Sequence, residues 1–399
     1  MAIPSPAGSE GRLADWIGGW MATRHPEVDC TVDHFAPGRA NVECRVGPPS
    51  PGDLVLYSHL DTSLSGDPAL DRPAVPSTAG WGLTRQGDRL VGPGLAVAKG
   101  PAVAAAIGYL EAVCVLAATG RRPRATLLLA AGGTHRAAPP GVGLPPGSPA
   151  SGDGDGVRRF LALHHPAAAV VAKAGPPGIL WEEPGAAYVT VDVVGPAGLV
   201  MTRSALRGGG VLGAVGTAVA GVERWREQYL ARPLPEGTQA GREAGLGALT
   251  AGLPYKPDLV GGLLQLHLYA VLAPGDDPAD LPGEVARTVG EALADGGWGD
   301  LGAHAELVWG IPSAATDRRA PVVALAEAVY REVLGGAPAS VTAWTGSTDG
   351  VLFRRAGVDT ARLGPTPLAG PVGTEALSVS ALVSWARVYA DLVVRHSLS

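Results

Sequence analysis

An imidazole and a carboxylate two residues apart, His59 and Asp61 in Ser58-His59-Leu60-Asp61-Thr62, follow the strand-like run Leu54-Val55-Leu56-Tyr57. A carboxylate in that position can orient the ring, which then serves as an acid–base group, a metal ligand or half of a structural pair. A second imidazole, His135, stands in Gly132-Gly133-Thr134-His135-Arg136. With an ordinary pKa of roughly 6.5 it suits a ligand, a general base or a solvated loop residue. Lysine is scarce, and Lys99, Lys173 and Lys256 are the only three. Lys173, in the Pro/Gly loop Lys173-Ala174-Gly175-Pro176, is either a surface lysine or a cation placed for chemistry. Glu182 and Glu183 follow it in Trp181-Glu182-Glu183, where a carboxylate can pair with Lys173 or bind an amine. Thr348 and Asp349, in Gly346-Ser347-Thr348-Asp349-Gly350, can touch a substrate or hold the loop. No serine, cysteine or threonine lies in a nucleophile-elbow pattern. Asp153-Gly154-Asp155-Gly156 looks like the start of a calcium loop but lacks the further ligands, and reads as a solvated turn.

The elements that must position these groups alternate. Leu13, Trp16, Ile17 and Trp20 make a helical stripe, with Ser9 as its cap, and the segments 30–35 and 40–46 read as a β-hairpin. Strands are expected at 54–59, 125–131 and 168–172, with helices at 99–116 and 157–164 between them, which points to a sheet covered by helices. Residues 137–156 read as a Pro/Gly/Ser loop. From 188 the order becomes strand, helix at 204–230, a loop, strand at 263–272, helix at 281–293 and strand at 306–309, a ferredoxin-like succession. Helix and strand return after Ala320.

Gly92-Pro93-Gly94-Leu95-Ala96-Val97-Ala98-Lys99-Gly100 then adds a family signature when set beside Ser58–Thr62. Together with Ile3-Pro4-Ser5-Pro6-Ala7-Gly8-Ser9-Glu10, the Gly346–Gly350 loop and Gly357-Val358-Asp359, it resembles metallopeptidase family 20. That family comprises dizinc peptidases and deacylases such as acetylornithine deacetylase, succinyl-diaminopimelate desuccinylase and carboxypeptidase G. The resemblance covers nearly the whole chain. It implies an α/β fold: a mixed-sheet metallopeptidase-like catalytic domain, residues 1–184 plus 312–399, with an inserted ferredoxin-like α+β lid and dimerisation domain, residues 185–311. It also implies a homodimer through that insert.

Residue by residue, the resemblance places His59 on the first metal ligand, with Asp61 orienting it. A two-metal hydrolase holds its ions ~3.5–4 Å apart through a bridging ligand. Val97, which has no donor atom, falls on that bridging aspartate. Thr134 and His135 fall on the adjacent glutamate pair, Lys173 on a carboxylate ligand and Pro371 on the C-terminal ligand histidine. In the insert, Leu199 falls on the histidine that supports the oxyanion, and Tyr269 and Val271 on an aspartate and an arginine. The expectation is therefore an enzyme without zinc or another cofactor, acting on an amide, acyl or amino-acid-derived small molecule, in specialised metabolism. His59, Asp61, His135 and Lys173 would be catalytic, with Lys173 replacing the metal's charge, and Thr348, Asp349, Glu182 and Glu183 would bind substrate. Two alternatives stay open: a non-catalytic pseudo-peptidase that binds a ligand or partner, and a single zinc at His59, Asp61 and His135. Lys99 is expected to pin the start of its helix.

At 399 residues the chain can bury two sizeable cores. A net charge of −6 with no basic block argues against a nucleic-acid or membrane-surface binder. The start Met1-Ala2-Ile3-Pro4 is unlike a signal peptide, and apolar runs such as 102–106 are expected to fall short of a membrane span. Cys30, Cys44 and Cys114 are few, odd in number and not in metal spacing, which favours a reducing cytoplasm, with Cys114 in the core.

Overall fold

The computed structural model describes residues 3–63, 82–133, 152–196, 198, 199, 201, 207–251, 259, 260, 262–369 and 375–399. Helix α1 (Gly11–Arg24) leads into the hairpin β1 (Asp29–Ala36) and β2 (Arg39–Arg45). Glu10, not Ser9, stands at the cap position, with its carboxylate taking the amides of Gly8 and Gly132. Then come β3 (Leu54–His59), α2 (Gly100–Ala117), β4 (Ala125–Ala130), α3 (Asp155–Leu163) and β5 (Ala168–Ala172).

Four longer strands follow, β6 (Gly185–Val194), β7 (Glu243–Ala251), β8 (Leu263–Leu272) and β9 (Gly302–Ile311), with α4 (Val215–Leu230) and α5 (Leu281–Asp295) between them. They form one antiparallel sheet of order β7-β8-β6-β9, the ferredoxin-like arrangement. The helices cover one face, where Trp225, Tyr229, Val285 and Val289 pack on Val189, Val191, Leu264 and Leu266. Gly221 lets α4 approach α5 closely, since a Cβ there would stand 2.9 Å from Val289 Cα. The helix expected from 204 is tighter and irregular over Arg207–Ala214 and becomes α-helical only at Val215, because the glycine run resists helix formation.

The chain returns through α6 (Pro321–Leu334), α7 (Gly350–Arg355), β10 (Asp359–Leu363) and α8 (Val379–Leu398). Strand β10 completes the first sheet, of order β1-β2-β4-β3-β5-β10. Strands β4, β3, β5 and β10 are mutually parallel and buried on both faces, as parallel strands covered by helices must be. Leu54, Leu56, Leu127, Leu129 and Val170 meet α1, α2, α6 and α8 on one side. Val55, Tyr57, Leu128 and Val171 meet α3 and α7 on the other.

Three expectations change. Cys30 faces Cys44 across β1 and β2, and the two are joined in a disulfide. The hairpin register brings them together, so the cysteines no longer favour a reducing compartment. Cys114 is exposed on α2 rather than in the core. The stretch Leu95–Ala117, 23 residues, is long and apolar enough to cross a bilayer, contrary to the reading of short apolar runs, but 61% of its apolar window is buried inside the protein. Gly108 sits where a Cβ would lie 2.5 Å from Ala386 O, which locks α2 against α8.

Candidate active site at the strand ends

Ligands of open α/β sheets bind beyond the carboxyl ends of parallel strands. Here those ends carry His59 (β3), Gly132 and Gly133 (after β4), Lys173 (after β5) and Gly364 (after β10). The register pairs His59 with Ala130 and Ala172 with Leu363, so the four exits lie in one row.

His59 is 2% exposed, and its Nδ1 lies 3.2 Å from Asp61 Oδ1. Asp61 Oδ1 also accepts the Gly133 amide at 2.8 Å, which fixes the carboxylate. An Nδ1 proton donated to Asp61 leaves Nε2 with a lone pair. Nε2 is buried and has no hydrogen-bond partner among the described residues. A buried, unpartnered acceptor is costly unless something else meets it. The geometry leaves that nitrogen ready for a proton or a ligand.

Asp349 enters from the start of α7 and accepts the hydroxyl of Tyr57. A Cβ on Gly133 would stand 3.3 Å from both Asp349 Oδ2 and Asp61 Oδ1, so the two carboxylates flank the glycine. Burial, followed by the Asp349 charge, raises the Tyr57 pKa well above its usual value, keeping the phenol a donor. Lys173 is half-buried, and its main-chain oxygen packs where a Gly364 side chain would go. Desolvation lowers its pKa, opposed by the carboxylates of Asp349, Asp61 and Glu183 and reinforced by Arg362. Asp61, which orients His59, is thus one of the carboxylates whose charge favours the Lys173 ammonium.

Glu182 and Glu183, expected at the substrate, are both buried and engaged elsewhere. Glu182 Oε2 accepts the Thr238 hydroxyl and the amides of Gln239 and Ala240. Glu183 accepts from Thr348 and from Arg354, with Arg362 Nε 3.8 Å away. Thr348 is therefore turned toward Glu183, while Asp349 alone of that pair lies with Asp61 beside Gly133. His135, Thr134 and Pro371 lie outside the described residues. Lys99 donates to Ile3 O at 2.6 Å and ties the N-terminal segment to the start of α2.

Glu375 is a site residue to which the sequence reading gave no role. Its carboxylate takes the amides of Gly94, Ala96 and Val97 at 3.1, 2.6 and 2.8 Å, clasping the loop where the family carries its bridging aspartate. Burial raises its pKa, against those amides and the His59 charge. This role needs a loop 278 residues away in sequence, which no local pattern discloses. An apolar cavity of about 360 Å³ between α1 and α2, lined by Trp16, Ile17, Trp20 and Ala106, also reaches His59 and Lys99.

No family model matches the chain, and no curated protein is similar to it in sequence. Solved structures are similar. The aminopeptidase PepT of Bacillus cereus superposes with a TM-score of 0.64 at 14% identity, covering 100% of this chain and 95% of that one. A dinuclear metal binding peptidase of family 20 from Bacillus subtilis gives 0.60 at 12% identity, covering 98% and 94%. The chain has the fold of metallopeptidase family 20. An amidase of the hydantoinase/carbamoylase family from Burkholderia vietnamiensis gives 0.62 at 16% identity, covering 100% and 92%.

This likeness corrects the expectation of no cofactor. The Bacillus subtilis structure is that of a dinuclear metal binding peptidase, and the present chain keeps the same fold from end to end. The expectation of a cofactor-free chain therefore does not stand beside a fold shared with a dinuclear metal binding peptidase. The described residues nonetheless fit such a centre poorly. Val97 offers no side-chain donor atom, and no group of three or more His, Cys, Asp or Glu gathers among the described residues. His59 alone, with Nε2 open and Asp61 behind it, has the form of a ligand.

Proposed function

We propose that this chain is an enzyme that acts on the amide or acyl group of a small, amino-acid-derived molecule, in specialised metabolism. The observations that support the proposal are an oriented imidazole with an open nitrogen at the exit of β3 and the half-buried Lys173 at the exit of the neighbouring strand β5. The peptidase and amidase structures that share the fold support the reaction class.

In this reading the substrate carbonyl lies between His59 and Lys173. Lys173 draws negative charge toward the carbonyl oxygen, a role in which a desolvated ammonium is strong. His59 Nε2 takes the proton of the attacking water or other nucleophile as the new bond to carbon forms. The same proton passes to the leaving amine as the C–N bond breaks, while Asp61 holds the ring and steadies its charged form. Asp349, fixed by Tyr57, is placed to receive a substrate amine. A metal bound at His59 would supply Lewis-acid polarisation of the substrate. The residues described do not complete its ligand set, and no step here depends on it.

The test is a panel of dipeptides, N-acyl amino acids and N-carbamoyl amino acids, run on wild type, His59→Ala and Lys173→Met, with metal content measured on each sample. Turnover of a panel member that falls by about 100-fold or more in both folded variants is expected. Wild-type turnover and affinity in Lys173→Met would sink the proposal. Activity should also decline on the alkaline side below the free-lysine value of 10.5, since burial lowers the pKa and the ammonium is the working form.

A further inference from the structure

At the opposite end of the first sheet, where β3 and β4 begin, lies a cavity of about 570 Å³. Arg45, Arg121, Arg122 and Arg124 line it, with Asp53 as its one carboxylate. That carboxylate is occupied, since Asp53 Oδ2 accepts the Ser50 amide at 2.7 Å. The arginines have little else to answer. Arg45 comes only to 3.8 Å from Asp29, and Arg124 Nη2 reaches Gly52 O at 3.4 Å. Arg121 and Arg122 make no side-chain hydrogen bond or ion pair with any described residue. Four guanidiniums around one carboxylate leave a local excess of positive charge in a chain of net charge −6.

Two of these arginines are held, not dangling. The loop over them is glycine-bearing, and a Cβ at Gly47 would stand 2.0 Å from Arg122 Nη1, while one at Gly52 would stand 2.2 Å from Arg124 Nη2. A guanidinium nitrogen of each therefore stands against bare backbone, in space that a side chain at the glycine would take. Guanidinium pairs bind phosphate oxygens in bidentate fashion, and preorganised forks lose little freedom in doing so.

We infer that this cavity is a binding site for a small molecule carrying a di- or triphosphate group. Four guanidiniums along a cavity of this size match the several charges of a di- or triphosphate better than the one or two of a single phosphate. A nucleic acid needs a positive track beyond the cavity, and the chain is acidic overall. The site is separate from the cleft: β3, six residues long, runs from this cavity to His59, a distance on the order of 20 Å.

The experiment is isothermal titration of the full chain with inorganic pyrophosphate and tripolyphosphate at low salt. Wild type, Arg121→Ala with Arg122→Ala, and Arg121→Lys with Arg122→Lys are compared, each checked for native circular dichroism. One-to-one binding is expected, weakened roughly tenfold or more for each guanidinium removed, partly kept by lysine and reduced by added salt. Binding is also expected to survive in Lys173→Met, which separates this site from the cleft. Absence of binding at millimolar probe, equal binding by the double-alanine variant, or loss of binding in Lys173→Met would each overturn the inference.

Discussion

Glu183→Gln is the sharpest single test of how the site is built. Glu183 and Arg354 are fully buried, joined directly, and Arg362, itself 2% exposed, sits 3.8 Å from the other carboxylate oxygen. Arg354 also donates to Leu180 O and Thr360 O, which ties the segment before β6 to α7 and β10. Glutamine keeps the shape and an acceptor but removes the charge, stranding two buried guanidiniums. Breaking a buried pair from one side typically costs about 3–5 kcal/mol. Against a total stability of roughly 5–15 kcal/mol, that is a large fraction. Urea denaturation followed by tryptophan fluorescence should show it, because Trp344 stacks on Arg362 with 5.1 Å between guanidinium and ring. Adding Arg354→Met should recover part of the loss, since an apolar replacement of both partners avoids the uncompensated charge. If Glu183→Gln lies within about 0.5 kcal/mol of wild type and the two substitutions add independently, the carboxylate is not a structural keystone. The reasoning would then fail, and Glu183 would return as a candidate for binding substrate.

Other outcomes follow from single contacts. Burial depresses Lys99 from 10.5 to about 8, so its neutral form is favoured in the folded protein. The unfolded chain therefore holds more proton between those values, and this group's contribution to stability rises with pH across that window. Urea midpoints taken through the window should rise less in Lys99→Met than in wild type, and an unchanged slope would refute the assignment. The Cys30–Cys44 bond closes a loop of sequence separation 14, and Cys30→Ser with Cys44→Ser should cost up to about 3 kcal/mol. Thiol titration of unreduced, denatured protein should find Cys114 alone, and three thiols would refute the pairing. Tyr57→Phe removes the hydroxyl held by Asp349 and should cost about 1.5–3 kcal/mol in thermal or urea melts.

What was legible in the sequence was local or periodic. Apolar runs gave the parallel strands, and the change to alternation at Tyr188 gave the ferredoxin-like sheet. His59 and Asp61 were readable as a pair because two residues at a strand exit cannot be far apart. The disulfide was readable in principle: a hairpin turning between Ala36 and Arg39 sets Cys30 opposite Cys44. The odd cysteine count pointed the other way, because counting ignores register. The partners of Glu183 were not readable at all. Thr348 lies 165 residues away and Arg354 171, and no periodicity links a strand after one loop to a helix after another.

Lys173 shows why an aligned position does not disclose its state. Alignment puts a cation where the family has a carboxylate, and a bare reading of charge would expect mutual repulsion with whatever metal the fold holds. The structure adds what bears on its chemistry: Gly364, after β10, packs on its main chain, and burial disfavours its charge while the carboxylates of Asp349, at the start of α7, and Asp61, after β3, favour it. A group held between two such pulls responds to a ligand that changes either one. A substrate carboxylate that enters beside Lys173 adds a negative charge that favours the ammonium. Such a ligand should therefore shift the alkaline limb of the pH profile upward when bound, so that kcat retains activity at higher pH than kcat/KM. Coincident limbs would mean that Lys173 does not meet the substrate.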